Sequence, residues 1–117
     1  MLNNEGLFRR FLIGSASFPL EKGIFKGEDA YFASHKALPV RVFFAVGSEE
    51  QMADDPEVSD LRAFTAQLRG HSYQGLEFDT QIFDAESHVS VIPTTISRGL
   101  RYIYASPTTD ATATKKQ

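Results

Sequence analysis

Three short apolar runs of strand character alternate with three stretches of helical spacing. Phe11, Leu12 and Ile13 form a run closed by Gly14-Ser15, the profile of a buried strand entering a loop. Residues 18–26 mix Pro19 and Gly23 with Phe18, Leu20, Ile24 and Phe25, and read as an irregular segment with buried anchors. Glu28-Asp29 then opens a helix through Ala30, Tyr31, Phe32, Ala33 and His35, because acids suit a first turn; Pro39 stops it. Residues 40–46, VRVFFAV, are β-branched and aromatic, continuously apolar but for Arg41, and closed by Gly47. Such runs mark strands covered on both faces.

An acidic loop follows over residues 49–57. Val58, Leu61, Phe64 and Leu68 fall at helical spacing, with Gly70 as the C-cap. Leu76, Phe78, Thr80 and Ile82 alternate with Glu77, Asp79 and Gln81, the pattern of a strand with one wetter face. In a last helix capped by Ser90, the residues Ile92, Ile96, Leu100 and Ile103 share a face that should meet the core. The expected architecture is an α/β domain over residues 1–105, with residues 106–117 a disordered tail that lacks core formers. A three-stranded sheet with so apolar a centre is a poor free-standing unit, and its unpaired edges would be sticky.

Composition narrows the function classes. The chain has 117 residues, enough for one cored domain and too few for two. Its formal net charge is −3 with both signs interleaved, so no basic patch for nucleic acid arises. No apolar run reaches the length of a membrane span. The absence of cysteine excludes disulfides and thiolate metal sites. The first residues lack the basic and apolar regions of a secretory signal, so the sequence as written is expected to stay in the cytoplasm. Ten phenylalanines suit a larger core than this chain can build, which points to absent partner surface.

Four segments together resemble a known family. Leu12-Ile13-Gly14-Ser15-Ala16-Ser17 is similar to a strand-and-loop Y-x-I-x-S-P-S, with Ala16 where the family often has proline. Residues 38–50, LPVRVFFAVGSEE, resemble its next strand and acidic turn. Residues 83–93, FDAESHVSVIP, resemble its histidine loop, and residues 97–102, SRGLRY, its closing helix. The family is that of enterochelin and other siderophore esterases within the α/β hydrolases, akin to the esterase D-like S-formylglutathione hydrolase. The resemblance implies a partial α/β-hydrolase fold: the C-terminal strands of a mostly parallel sheet with flanking helices. It also implies hydrolysis of a small carboxylic ester without metal or organic cofactor.

The candidate site is read from that resemblance. In α/β hydrolases a serine, an acid and a histidine follow in that chain order. His88 in its loop fits either a solvated histidine or a catalytic base by spacing alone; the resemblance implies the base. The acid should leave the end of the 40–46 strand, and Glu50 fits a G-x-x-[DE] turn counted from Gly47, with Glu49 second and Asp54 and Asp55 outsiders. No G-x-S-x-G elbow occurs in the sequence, so the nucleophile must come from elsewhere. Ser15 and Ser17 could line a cleft but have no elbow to act as nucleophiles. Glu86 and His88 form a lone E-x-H, too little for a metal. His35 and His71 read as surface residues, and Arg9, Arg10 and Arg41 as scattered cations. The alternative is a non-catalytic α/β remnant that folds as a homo-oligomer or with a partner chain that supplies the missing half.

Overall fold

The structure is a computed structural model that describes residues 1–2, 6–16, 23–51 and 56–106. Ser17, Asp54, Asp55 and all but the first residue of the expected tail lie outside the described residues. Strand β1 (Arg10–Gly14) leads to helix α1 (Gly23–Ser34), then to strand β2 (Arg41–Gly47) and a single 3₁₀ turn, Ser48–Glu50. Helix α2 (Glu57–His71), strand β3 (Glu77–Phe83) and helix α3 (Val91–Ile103) complete the unit.

The sheet has order β1-β2-β3, and both pairings are parallel. β2 lies at the centre because it alone is apolar on both sides. Successive side chains of a strand point to opposite faces. Val42, Phe44 and Val46 therefore meet Leu61, Phe64 and Leu68 of α2, with Phe25 and Phe32 of α1 behind them. Phe43 and Ala45 point the other way, toward Leu12, Tyr102 and Ile103. Helices α1 and α2 cover one face and α3 the other. This is the α/β layering expected of strands alternating with helices.

Two helices start or stop elsewhere than the sequence predicts. α1 begins at Gly23, so Ile24 and Phe25 are helical and not irregular. Phe25, Glu28 and Phe32 share one helical face that turns toward α2. Phe25 packs edge-on against Phe64, at 5.6 Å between ring centres, and that contact winds the segment helically. Glu28 is thus no solvated first-turn acid; it is wholly buried. α2 runs past Gly70 to His71, and the left-handed residue that ends it is Ser72, with φ 53°.

The largest correction concerns α3. The residues it buries are Val91, Thr95, Gly99 and Ile103, whereas Ile92, Ile96 and Leu100 are about half exposed. The helix lies too close to β1 and β2 for bulky side chains in between. A β-carbon on Gly99 would stand 2.1 Å from Leu12 Cδ2, and one on Gly14 would stand 3.0 Å from Thr95 Cγ2. Small residues therefore make the contact and the isoleucine stripe turns outward. Ser90 stands at the N-cap position as expected, but its side chain makes no capping bond: its hydroxyl accepts from the Ser87 N–H at 2.8 Å.

Two arginines fix the far end of α3. Arg10 donates to the Ile103 carbonyl at 2.8 Å, and Arg41 to those of Tyr102 and Ala105 at 3.2 and 3.0 Å. Cations suit the orphan carbonyls at a helix C-terminus. Arg10 and Arg41 are thus structural anchors and not scattered surface charges. They tie the C-terminus of α3 to the start of β1 and β2, which sets its N-terminus at the opposite edge of the sheet.

Candidate active site

That opposite edge, at the C-terminal ends of the strands, is where open α/β sheets gather ligand-binding groups. β2 ends in Gly47, and the 3₁₀ turn that follows swings Glu50 back beneath the sheet edge. The turn needs glycine, since a β-carbon on Gly47 would lie 2.1 Å from the Glu86 carbonyl oxygen. The same crossing joins the two loops: the Glu49 N–H donates to Glu86 O at 3.1 Å, and the Ala85 N–H to Ser48 Oγ at 2.8 Å. The loop after β3 is thereby pinned to the loop after β2, and it carries His88.

His88 Nδ1 lies 2.8 Å from Glu50 Oε1. The Glu50 side chain is 2% exposed and that of His88 68%. An ionised carboxylate only accepts, so the ring presents Nδ1–H to it, and in the neutral ring the lone pair is then on Nε2. Among the described residues no hydrogen bond engages Nε2. The second Glu50 oxygen accepts from the Gly47 N–H at 2.6 Å and from Ser15 Oγ at 3.0 Å. Both carboxylate oxygens are therefore fixed, as a buried charge requires. Beside the pair lies a cavity of about 420 Å³, lined by Leu12, Ser15, His88, Val91, Thr95 and Ile96 among others. Its walls mix apolar side chains with three polar ones, Ser15, His88 and Thr95.

The structure thus unites Glu50, His88 and Ser15, residues separated by up to 73 positions in the chain, and leaves Glu49 exposed with its backbone bonded to Glu86. Glu86 meets this group through its main chain. The donor atoms of Glu50, Glu57 and His88 lie within 4.8 Å of one another, as do those of Glu28, Asp29 and His71. In each group the histidine bonds a carboxylate of the same group.

The second group is a feature the sequence reading missed. His71 is not a free surface residue: its side chain is 21% exposed, with Nδ1 2.7 Å from Glu28 Oε2 and Nε2 3.3 Å from Asp29 Oδ1. Glu28 also accepts from Gln67 Nε2 at 2.5 Å and from the Tyr73 hydroxyl. Burial, followed by the Glu28 carboxylate it bonds, pushes the Tyr73 phenol well above its ordinary value. The available signal was an acid on an otherwise apolar helical face. His35 is exposed as expected, stacked on Tyr31 at 4.1 Å.

Comparison with known proteins bears on the fold. Over 105 aligned residues the chain is 27% identical to ferri-bacillibactin esterase BesA of Bacillus subtilis (strain 168), covering 87% of this chain and 36% of that protein. The crystal structure of the BES protein from Bacillus cereus superposes with a TM-score of 0.68 at 25% identity, covering 87% of this chain and 38% of the other. No protein-family model matches the sequence. The chain spans little more than a third of the length of the proteins it matches. It is homologous to an esterase, and its three parallel strands and flanking helices are a partial α/β-hydrolase fold, the counterpart of a C-terminal portion of an esterase-like protein.

Proposed function

We propose that this chain carries the base and the orienting acid of a serine esterase, His88 and Glu50, for a nucleophile supplied by residues outside the 117. The observation that carries the reading is the 2.8 Å contact from His88 Nδ1 to a buried Glu50, with His88 on the cavity wall and, among the described residues, no hydrogen bond on Nε2. A serine hydroxyl there would give its proton to Nε2 while its oxygen attacks the ester carbonyl. Glu50 would stabilise the imidazolium, and the proton would pass to the departing alcohol, leaving an acyl-serine. Water, deprotonated by the same nitrogen, would release the acid and restore the serine. The likeness to a ferri-bacillibactin esterase makes siderophore-type esters the substrate class. On this reading the protein acts on a small molecule.

The 117 residues alone should hydrolyse p-nitrophenyl acetate little or not at all. A chimera joining them to the remainder of BesA should hydrolyse it, and His88→Ala should cut kcat at least about a thousandfold. A chimera that folds and turns over equally well with His88→Ala contradicts the reading.

A second reading is favoured by the outward stripe Ile92, Ile96 and Leu100: a non-catalytic unit that pairs with a second copy. Light scattering distinguishes it, since such a pair has twice the monomer mass and Ile96→Glu should return it to a monomer.

A further inference from the structure

Ser15 occupies a backbone conformation that serine adopts at a cost. Its φ is 51°, the left-handed region, which costs a residue with a β-carbon about 1–2 kcal/mol and which glycine enters freely. The position is held firmly all the same: the Ser15 N–H donates to the Ala45 carbonyl at 2.8 Å, tying the end of β1 to the central strand. Strain maintained in this way is a sign of function at sites where it aims a side chain. Here the side chain is aimed at Glu50. Its hydroxyl donates to Oε2 at 3.0 Å, the oxygen that the Gly47 N–H also holds, and leaves Oε1 to His88.

Each donor fixes a different degree of freedom. The Gly47 N–H belongs to the last residue of β2, three positions before Glu50. Ser15 follows the end of β1, so the two donors tie the carboxylate to two neighbouring strands, and only Ser15 does so from a distant part of the chain. A carboxylate held by one donor can still rotate about the bond to its chain; held by two on one oxygen, it presents the other in a set direction. The direction of Oε1 decides the plane of the His88 ring and the aim of Nε2.

We propose that Ser15 is a positioning residue: through Glu50 it holds His88 in the Nδ1–H tautomer with Nε2 directed into the cavity. This rests on the reading of Glu50 and His88 as acid and base, and deepens it. The Ser15 hydroxyl itself takes part in no bond making.

The test is the tautomer of His88, read from long-range ¹H–¹⁵N correlation spectra of the 117-residue chain with the imidazole neutral. In the unaltered chain the Nδ1–H form should predominate. Ser15→Ala keeps the strain and loses the hydroxyl, whereas Ser15→Gly relieves the strain and loses it too. Both should lower the ratio of Nδ1–H to Nε2–H at least threefold, while the His71 signals stay in place. If Ser15→Gly keeps the ratio, the hydroxyl has no positioning role and the proposal is overturned. If the unaltered chain already shows His88 mainly as Nε2–H, Glu50 does not orient it, and the functional reading fails with the proposal.

Discussion

The molecule contains two glutamate–histidine pairs that look alike and are put to different use. In each a buried carboxylate meets Nδ1 of a histidine, at 2.7 Å for Glu28 and His71 and at 2.8 Å for Glu50 and His88. The difference lies in the other ring nitrogen. Nε2 of His71 faces Asp29, and its ring stacks on Phe32 at 4.2 Å between centres. Nothing of that ring is left to offer a substrate. The His88 side chain is two-thirds exposed on a wall of the cavity, and among the described residues nothing hydrogen-bonds its Nε2. A hydrogen-bonded pair is therefore not a catalytic pair by composition. It becomes one when a nitrogen remains available at a cleft, and otherwise it joins elements of the fold, here α1 to the end of α2.

The contrast can be broken most severely at Glu28. Glu28→Ala removes the shared acceptor of Tyr73, His71 and Gln67 and opens a void between α1 and α2. It should lower unfolding free energy by about 3–5 kcal/mol in urea titrations. His71→Ala deletes one charge-assisted bond and a ring stack and should cost about 1.5–3 kcal/mol by the same measurement. A neutral result for either would make this cluster an ornament of the surface.

An effect of pH comes next. The Tyr73 phenol is raised in the folded state by burial and by Glu28, so the fold holds its proton more tightly than the unfolded chain does. The stabilisation is complete below the ordinary tyrosine value of 10.0 and is lost as pH rises above it. Burial raises Tyr102 as well, with the same sign. Melting temperature should fall from pH 10 upward. Tyr73→Phe should make that fall shallower without abolishing it, although the variant is less stable at neutral pH.

The smallest effect belongs to the pair proposed to be reactive. His88→Ala should cost about 1 kcal/mol, because Oε1 of the buried Glu50 loses its donor while the exposed ring takes little packing with it and water can reach its place. A loss as large as that for His71→Ala would mean that His88 is also structural, and the contrast would disappear.

The sequence made one pair legible and hid the other for a physical reason. Glu50 and His88 were legible through the resemblance of their two turns to a known family, spacing alone leaving His88 open; both turns are local, Gly47 to Glu50 being one turn of chain and His88 following β3 by five residues. Local geometry is what residue patterns record. Glu28 and His71 meet only because α1 packs on α2, and no periodicity states which helices touch. The same limit explains α3. Its bulky stripe of Ile92, Ile96 and Leu100 dominates the apolar pattern, but close approach requires the smaller Gly99 against Leu12 and Phe43 and Thr95 against Gly14. The strands were readable because β2 is apolar on both faces, which fits only the centre of a covered sheet. Ser15 was visible as a cleft residue, but its bond to Glu50 spans 35 positions between two strands.

The central claim is that His88 alone of the two paired histidines keeps a reactive nitrogen. Limited carbethoxylation of the 117-residue chain with diethyl pyrocarbonate, followed by peptide mapping of His35, His71 and His88, tests it directly. His88 should react at least tenfold faster than His71, and at a rate of the same order as the exposed His35. Modification of His71 as fast as His88 would contradict the account, because both pairs would then be equally available and the cavity beside His88 would lose its chemical distinction.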